Sequence, residues 1–366
     1  MKIAYLSGST FPSRAANSVH VSKMCEALTK AGHYVTLFAF SSSDENISIK
    51  DSYDISHLFD TVFIRKNIGK RLKSWIVSFQ LARKISAFDF DIIYSRNRLS
   101  TLFINRNSDF VFEAHSFPIS ILSRLCENTI LRRKKLKALI VITEALKQEY
   151  VKNFPFLADK ILVASDGAND VPFFESDILR CSTVGYVGHL YEGRGIEIVV
   201  ELARMFPDLN FLVVGGEDKQ VNSWRERCDK MTNINFVGYV PHAILGDYYK
   251  EMDIVLSPHQ KTVTVHGGGG DISKWTSPLK LFEYMSYRKP MIVSNLPVFH
   301  EILKDEETCL FCEPDDINSW RIQLERLIKD EYLRRKLGEQ AYDNFINNYT
   351  WDARVKKIIE HIENRL

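Results

Sequence analysis

Thr183-Val-Gly-Tyr-Val187, Gly188-His-Leu-Tyr-Glu-Gly-Arg-Gly195 and Ile196-Glu-Ile-Val-Val-Glu-Leu-Ala-Arg-Met205 follow one another without a break. The first block is a short apolar strand, the second a glycine-punctuated turn, and the third carries apolar side chains at helical spacing. Strand, tight turn and helix in that order begin a parallel α/β unit. The pattern continues through Asn210–Val214, which runs into Gly215-Gly216, and then through Asn235–Val237, Ile254–Leu256 and Met291–Val293. An equivalent series precedes it. Lys2–Leu6 leads to a helix over roughly Val19–Ala31 that Gly32 closes, and Tyr34–Phe40 is the next strand. Asp91–Tyr94, Phe110–Ala114 and Ala138–Ile142 extend that series. Strands this short and this apolar fit sheets covered by helices on both faces.

The chain has 366 residues, which suits two domains. The boundaries predicted are 1–165 for an N-terminal domain, 166–345 for a C-terminal domain and 346–366 for a terminal helix. Asp166-Gly167 to Phe174 reads as the connector. The last helical pattern, roughly Asp352–Asn364, belongs to either domain on periodicity alone.

Hydrophobic residues make up 45% and charged residues 26%, an ordinary globular balance that excludes a disordered or fibrous chain. No apolar run approaches the ~18 residues that a membrane-spanning helix needs. Met1 to Tyr5 is too short for a signal-peptide core, so a cytoplasmic protein is expected. Six cysteines are scattered, and only Cys309 and Cys312 are close. No second pair or histidine ligands stand near them, so reduced, structural roles are expected rather than a metal site.

The net charge of +2 hides an asymmetry. Residues 1–165 hold 24 basic and 14 acidic side chains, a net +10, and the remainder holds 24 and 32, a net −8. The excess gathers at Arg65, Lys66, Lys70, Arg71 and Lys73, and again at Arg132, Arg133, Lys134, Lys135 and Lys137. Solvated helix faces are one reading, and contact with an anionic membrane surface or a lipid-linked acceptor is the other. No nucleic-acid motif accompanies the charge, so nucleic acid is not an expected partner.

Two segments suggest anion chemistry. Gly188 to Gly195 leaves a strand and opens a helix, where free N–H groups and the positive end of the dipole suit a phosphate. Arg194 adds a guanidinium for a diphosphate. A tight turn with a surface arginine would read the same way, and the spacing is not the dinucleotide fingerprint. Ser277-Pro-Leu-Lys-Leu-Phe-Glu-Tyr-Met285 reads as a second helix start, with Ser277 as N-cap and Pro278 at the first helical position. Lys280 in its first turn opposes the helix dipole, which a bound anion would explain. Glu283, about a turn further, offers a carboxylate to a ribose diol. Gly267–Gly270 is either a flexible linker or a loop that closes over a ligand. His115 ends the strand Phe110–Ala114, at the sheet edge where open α/β folds bind ligands, and His20 opens the first helix. Either histidine also reads as an ordinary satisfied side chain.

Together these segments resemble the retaining family 4 glycosyltransferases of GT-B fold, over nearly the whole chain. Asn17-Ser-Val-His-Val-Ser-Lys-Met-Cys-Glu-Ala-Leu28 to Gly32-His-Tyr-Val-Thr-Leu37 is similar to their opening strand–helix–strand. Phe112-Glu-Ala-His115 resembles their strand-end histidine, and Val141-Ile-Thr-Glu-Ala-Leu-Lys147 their approach to the linker. Val187-Gly-His-Leu190 to Arg194-Gly195 resembles the diphosphate loop. Asn235-Phe-Val-Gly-Tyr-Val-Pro241 and Met252-Asp-Ile-Val-Leu-Ser-Pro258 resemble the nucleotide-side elements, and Ser277 to Pro290 the signature helix.

The resemblance implies two Rossmann-like domains facing each other across a cleft, with the final helix, Trp351 and Asp352 at its start, returning to the N-terminal domain. It implies transfer of a sugar from a UDP- or GDP-linked donor to a hydroxyl, with retention and no metal or other cofactor. His115, Arg194 and Lys280 would be catalytic. Gly188, His189, Tyr239, Val240, Ser277, Pro278, Leu279, Glu283 and Asp271 would hold the nucleotide sugar, and Asn17 and His20 would lie on the acceptor side. The acceptor implied is a glycan, lipid-linked and destined for the cell surface, with a peripheral place on the inner face of the plasma membrane. Three positions depart from the family pattern. His189 replaces an arginine, Trp275 replaces the first glutamate of the E-x7-E signature, and Ala15-Ala-Asn-Ser18 replaces a double glycine. Either Asp271, which offers a carboxylate from the glycine loop, or Trp275 itself takes the place of the missing glutamate. The departures also raise two alternatives: a non-catalytic sugar-nucleotide-binding subunit of a transferase complex, and a nucleotide-sugar epimerase.

Overall fold

Every strand among the described residues lies in one of two parallel sheets. The computed structural model describes residues 1–41, 49–65, 71–172, 181–262 and 273–365. These divide into two units, Met1–Ser165 with Trp351–Leu366, and Asp166–Thr350.

The first unit contains β1 (Lys2–Phe11), α1 (Ala16–Lys30), β2 (Tyr34–Ser41), α2 (Ile49–Tyr53), β3 (Asp60–Arg65), α3 (Arg71–Ile85) and β4 (Ile92–Ser95). It continues with α4 (Arg98–Phe103), β5 (Phe110–Ala114), α5 (Ile121–Leu131), β6 (Leu136–Val141), α6 (Glu144–Asn153) and β7 (Ile161–Val163). The strands pair in parallel in the order β3-β2-β1-β4-β5-β6-β7. All residues of β4 and β5 are buried, as a sheet covered on both sides requires. The helix starts are set locally. Asn97, Ser120 and Thr143 each accept a hydrogen bond at the N-cap, from the N–H of Ser100, Ser123 and Leu146.

The second unit contains β8 (Thr183–Val187), α7 (Ile196–Met205), β9 (Asn210–Val214), α8 (Asp218–Arg227), β10 (Ile234–Gly238), α9 (His242–Glu251) and β11 (Ile254–Ser257). Then come α10 (Leu279–Ser286), β12 (Met291–Ser294), β13 (Leu310–Cys312), α11 (Ile317–Lys329) and α12 (Glu331–Asn348). Its parallel order is β10-β9-β8-β11-β12-β13. Alternate residues divide between two cores. Ile254, Leu256 and Ile292 join Val199 and Trp320 in one, while Val255, Met291 and Val293 join Leu281, Met285 and Phe345 in the other. That division is the period-two geometry of a strand buried on both sides.

The last helix, α13 (Trp351–Glu363), belongs to the first unit, as the resemblance implied. It buries Trp351, Val355, Ile358 and Ile362 at helical spacing. The division falls between Thr350 and Trp351, five residues later than the predicted boundary, because α12 runs on to Asn348.

In both sheets the order reverses beside the first strand, at β1/β4 in one unit and β8/β11 in the other. Open α/β sheets bind ligands at that point, beyond the C-terminal ends of the strands.

Candidate functional site

The β8/β11 reversal is closed by two loops that are pinned together. Gly195 has φ +76°, and a Cβ there would lie 1.7 Å from the Pro258 carbonyl oxygen, so no other residue fits. The Gln260 N–H donates to the Gly193 carbonyl at 2.9 Å. Arg194 is held between these two contacts. Its Nη1 donates to His259 Nε2 at 3.0 Å, and His259 Nδ1 lies 3.1 Å from Ser257 Oγ.

Lys280 enters from α10. Its Nζ stands 4.3 Å from the centre of the Tyr186 ring, and a Cβ on Gly188 would come within 3.6 Å of it. The helix is tied to β8 and β11 by Tyr284, whose hydroxyl accepts from the Val187 N–H at 3.0 Å and donates to the Leu256 carbonyl at 3.2 Å. Among the described residues Lys280 Nζ and Arg194 Nε are buried with no hydrogen-bond partner, and neither side chain forms an ion pair. Burial, and then the Arg194 guanidinium, press the Lys280 ammonium well below its ordinary pKa. Burial lowers that of Arg194 as well. Burial, then Lys280 and Arg194, keep His259 neutral. A buried lysine and a half-buried arginine, with no ion-pair partner among the described residues, make a receptor for a dianion such as a diphosphate.

One turn along α10, Glu283 faces α9. Its Oε1 lies 3.0 Å from His242 Nε2, and its Oε2 accepts from the Tyr249 hydroxyl at 2.5 Å. Burial alone would raise the Glu283 carboxyl, but these hydrogen bonds and the nearness of His242 bring it below the usual range. His242 follows Tyr239, Val240 and Pro241 directly, so the loop after β10 is attached to Glu283 through one side chain. Tyr239 is 38% exposed there. The loops after β8, β9 and β10 are joined at the same end of the sheet, since Gly188 N–H donates to Val214 and Gly215 N–H to Gly238.

The first unit carries a different cluster. Glu113, fully buried on β5, lies 3.2 Å from Arg354 Nη2 on α13, 3.4 Å from Arg96 Nε and 3.1 Å from His20 Nε2. It is also hydrogen-bonded to His115 and to the Tyr94 hydroxyl. Burial would raise this carboxyl, but Arg354, His20, Arg96 and the His115 contact hold it well below the usual range.

The structure thus brings Gly188, Arg194, Lys280 and Glu283 to one end of one sheet and sets the loop of Tyr239 and Val240 beside Glu283. His189 stacks on Tyr191, with ring centres 4.9 Å apart. His115 is half-buried at the end of β5, and Asn17 is exposed on the first turn of α1. Two readings need correction. Ser277 does not cap α10, because that helix begins at Leu279 after Pro278, and Ser277 Oγ instead accepts from the Asp166 N–H at 3.3 Å. His20 is 2% exposed and turned to Glu113, so it offers no surface to an acceptor. Asp271 and Gly267–Gly270 lie outside the described residues. Trp275 closes a short turn with its indole N–H buried and unpartnered among the described residues. His259, His242 and Tyr249 were not predicted. The one available signal was that His259 follows Ser257-Pro258 at the end of a strand.

Comparisons with known proteins bear on the family and the fold. The family model described as Glycosyl transferases group 1 matches residues 180–344, and the one described as Glycosyltransferase Family 4 matches residues 18–170. The phosphatidyl-myo-inositol mannosyltransferase of Mycolicibacterium smegmatis is 22% identical over 94% of this chain and 89% of its own length. The O-antigen chain mannosyltransferase RfbU of Salmonella typhimurium is 22% identical over 64% of this chain and 63% of its own. Among solved structures, sucrose-phosphate synthase from Thermosynechococcus elongatus superposes with a TM-score of 0.74 at 18% identity, covering 100% of this chain and 98% of that one. Anabaena HepE in complex with UDP-glucose gives 0.73 at 16% identity, over 100% of both chains.

Proposed function

Because this chain belongs to the family 4 glycosyltransferases, with family models matching residues 18–170 and 180–344, we propose that it transfers a sugar from a UDP- or GDP-linked donor to a glycan hydroxyl, with retention. The observation that carries the donor reading is the pair of half-buried Arg194 and buried Lys280, without an ion-pair partner among the described residues and set at the β8/β11 reversal. Transfer breaks the bond between the anomeric carbon and the diphosphate oxygen, and the electron pair leaves on that oxygen. The two cations, with the N-termini of α7 and α10, stabilise the charge as it develops. The acceptor oxygen bonds to the anomeric carbon and gives its proton to the departing oxygen, a same-face exchange that retains configuration. These cations supply the role a divalent ion has elsewhere, so no metal is invoked. Glu283, oriented by His242 and Tyr249, is the acceptor for the ribose diol. In the first unit, His115 is the half-buried group assigned to catalysis, and Asn17 the exposed one assigned to the acceptor.

The acceptor we propose is a lipid-linked glycan of polysaccharide or glycolipid synthesis, reached from the inner face of the plasma membrane. The names of the mannosyltransferase relatives support it, and so does α5. Ile119, Ile121, Leu122 and Leu125 are 63%, 80%, 60% and 59% exposed, beside exposed Arg124, Arg132 and Lys134. Apolar side chains flanked by cations suit an anionic bilayer surface. Among the described residues no helix is long and apolar enough to cross a membrane.

The test supplies UDP- and GDP-sugars with extracted lipid-linked acceptors, follows nucleoside diphosphate release, and reads the anomer of the product by NMR. A glycosylated product with the donor's configuration is expected. Binding without turnover would identify a non-catalytic subunit, and a changed sugar nucleotide formed without acceptor would identify an epimerase. Sedimentation with phosphatidylglycerol vesicles should be lost in the Ile121→Ser, Leu125→Ser double variant. Equal sedimentation of both proteins would remove α5 from the membrane reading.

A further inference from the structure

His259 is a fully buried histidine that the proposed transfer does not use, and its surroundings fix its chemistry. A guanidinium only donates hydrogen bonds, so His259 Nε2, 3.0 Å from Arg194 Nη1, presents its lone pair. A neutral ring with Nε2 unprotonated carries its hydrogen on Nδ1, which then donates to Ser257 Oγ at 3.1 Å. The ring is also held edge-on against Phe299, with centres 5.5 Å apart. Burial and the two neighbouring cations oppose a charge on it. Around Arg194 the backbone is already fixed, by Gly195 against Pro258 on one side and Gly193 against Gln260 on the other. The side chain is the only remaining freedom, and His259 is what removes it.

We propose that His259 is a positioning residue for Arg194: its Nε2, locked as an acceptor through Ser257, sets the guanidinium so that the remaining N–H groups are spent on the diphosphate. This rests on the diphosphate reading above. A long arginine placed opposite a second cation, Lys280, would otherwise swing toward solvent, since charge repulsion and rotamer entropy both favour that.

The experiment measures the affinity of UDP and GDP by calorimetry for the wild type, Arg194→Ala, His259→Leu, His259→Gln and the Arg194→Ala, His259→Leu pair. His259→Leu is expected to weaken binding about ten- to a hundredfold, as loss of a hydrogen bond to a charged group does. The pair should bind no more weakly than Arg194→Ala, because His259 acts only through Arg194. His259→Gln, whose Oε1 can take the place of Nε2, should restore most of the affinity. Should the Leu variant not fold, His259→Asn replaces it, being isosteric with only part of the ring and too short to reach Arg194. In ¹⁵N-histidine spectra of the wild type, His259 should be neutral with its hydrogen on Nδ1.

Additive losses in the pair, full affinity in His259→Leu beside a weakened Arg194→Ala, or a hydrogen found on Nε2 would each overturn this inference alone. Full affinity in Arg194→Ala would overturn the diphosphate reading and this inference with it.

Discussion

Glu113 and Lys280 are both buried charges beside the C-terminal end of a parallel strand, and their surroundings are opposite. Glu113 has Arg96, Arg354, His20, His115 and Tyr94 around one carboxylate, drawn from α1, the end of β4, the end of β5 and α13. Lys280 has an aromatic ring, a second cation and no acceptor among the described residues. The shifts point in opposite energetic directions. Glu113 is held in its charged form and Lys280 is pressed away from its own. A charge compensated from within stabilises the fold, and a charge left uncompensated is held by the fold at a cost until an anion arrives.

Breaking the compensated cluster should have the largest effect. Glu113→Gln keeps the shape and removes the charge that offsets Arg96 and Arg354. A loss of about 3–5 kcal/mol in urea unfolding is expected. Because the folded-state pKa of Glu113 is depressed, its contribution is present above the ordinary carboxyl value of 4.5 and is lost as the pH falls toward the depressed value. The acid limb of the stability curve should therefore flatten in the variant, and an unchanged limb would show that the cluster does not stabilise the fold.

The uncompensated site should respond in the reverse sense. Lys280→Met removes a buried cation without leaving a cavity, so the free protein should melt at a higher temperature. Turnover should fall by roughly 2–4 kcal/mol of transition-state stabilisation, the scale of one oxyanion donor. A lower melting temperature with normal turnover would make Lys280 an ordinary structural residue and erase the contrast.

The contrast can be sharpened by pH. With its pKa depressed below 10.5 in the free protein, Lys280 loses its proton earlier than in the unfolded chain, so free-protein stability rises with pH between the two values. A bound diphosphate restores the charged form and hence takes up a proton. UDP or GDP affinity should fall about tenfold per pH unit once the free-protein value is passed. Calorimetry in buffers of different ionisation enthalpy should show the uptake in the wild type and lose it in Lys280→Met.

The same contrast decides what could be read from the sequence. The span of β8 and α7 was legible to the residue, because glycines and an apolar period write a strand–turn–helix into adjacent positions. Lys280 was legible because a lysine in the first turn of a helix conflicts with the dipole, and a local conflict is visible locally. The partners of Glu113 were not. Phe112-Glu-Ala-His115 pointed to the histidine, but Arg354 comes from the far end of the chain and only folding sets it there. Ser277 illustrates the limit even at short range. Its residue type predicted a cap, but the Asp166 N–H, distant in sequence, takes its oxygen. His259 was missed for the same reason, since a lone histidine carries no period and its meaning lies in Arg194, across the sheet reversal.

Glu283 stands between the two extremes, and its prediction is the smallest. It is compensated, but only by hydrogen bonds from His242 and Tyr249, one to each oxygen, which leaves lone pairs for a ligand. Tyr249→Phe removes one of them without disturbing the packing of that ring on Tyr284 and Tyr287. The loss should be about 1 kcal/mol of stability, the net worth of one such bond. Affinity for UDP or GDP should weaken about as much, while that for inorganic pyrophosphate stays unchanged, because the carboxylate serves the sugar of the nucleotide and not its phosphates. Equal weakening for pyrophosphate would place Glu283 with the charges at Arg194 and Lys280, and no weakening for either would leave it a purely structural link between α9 and α10.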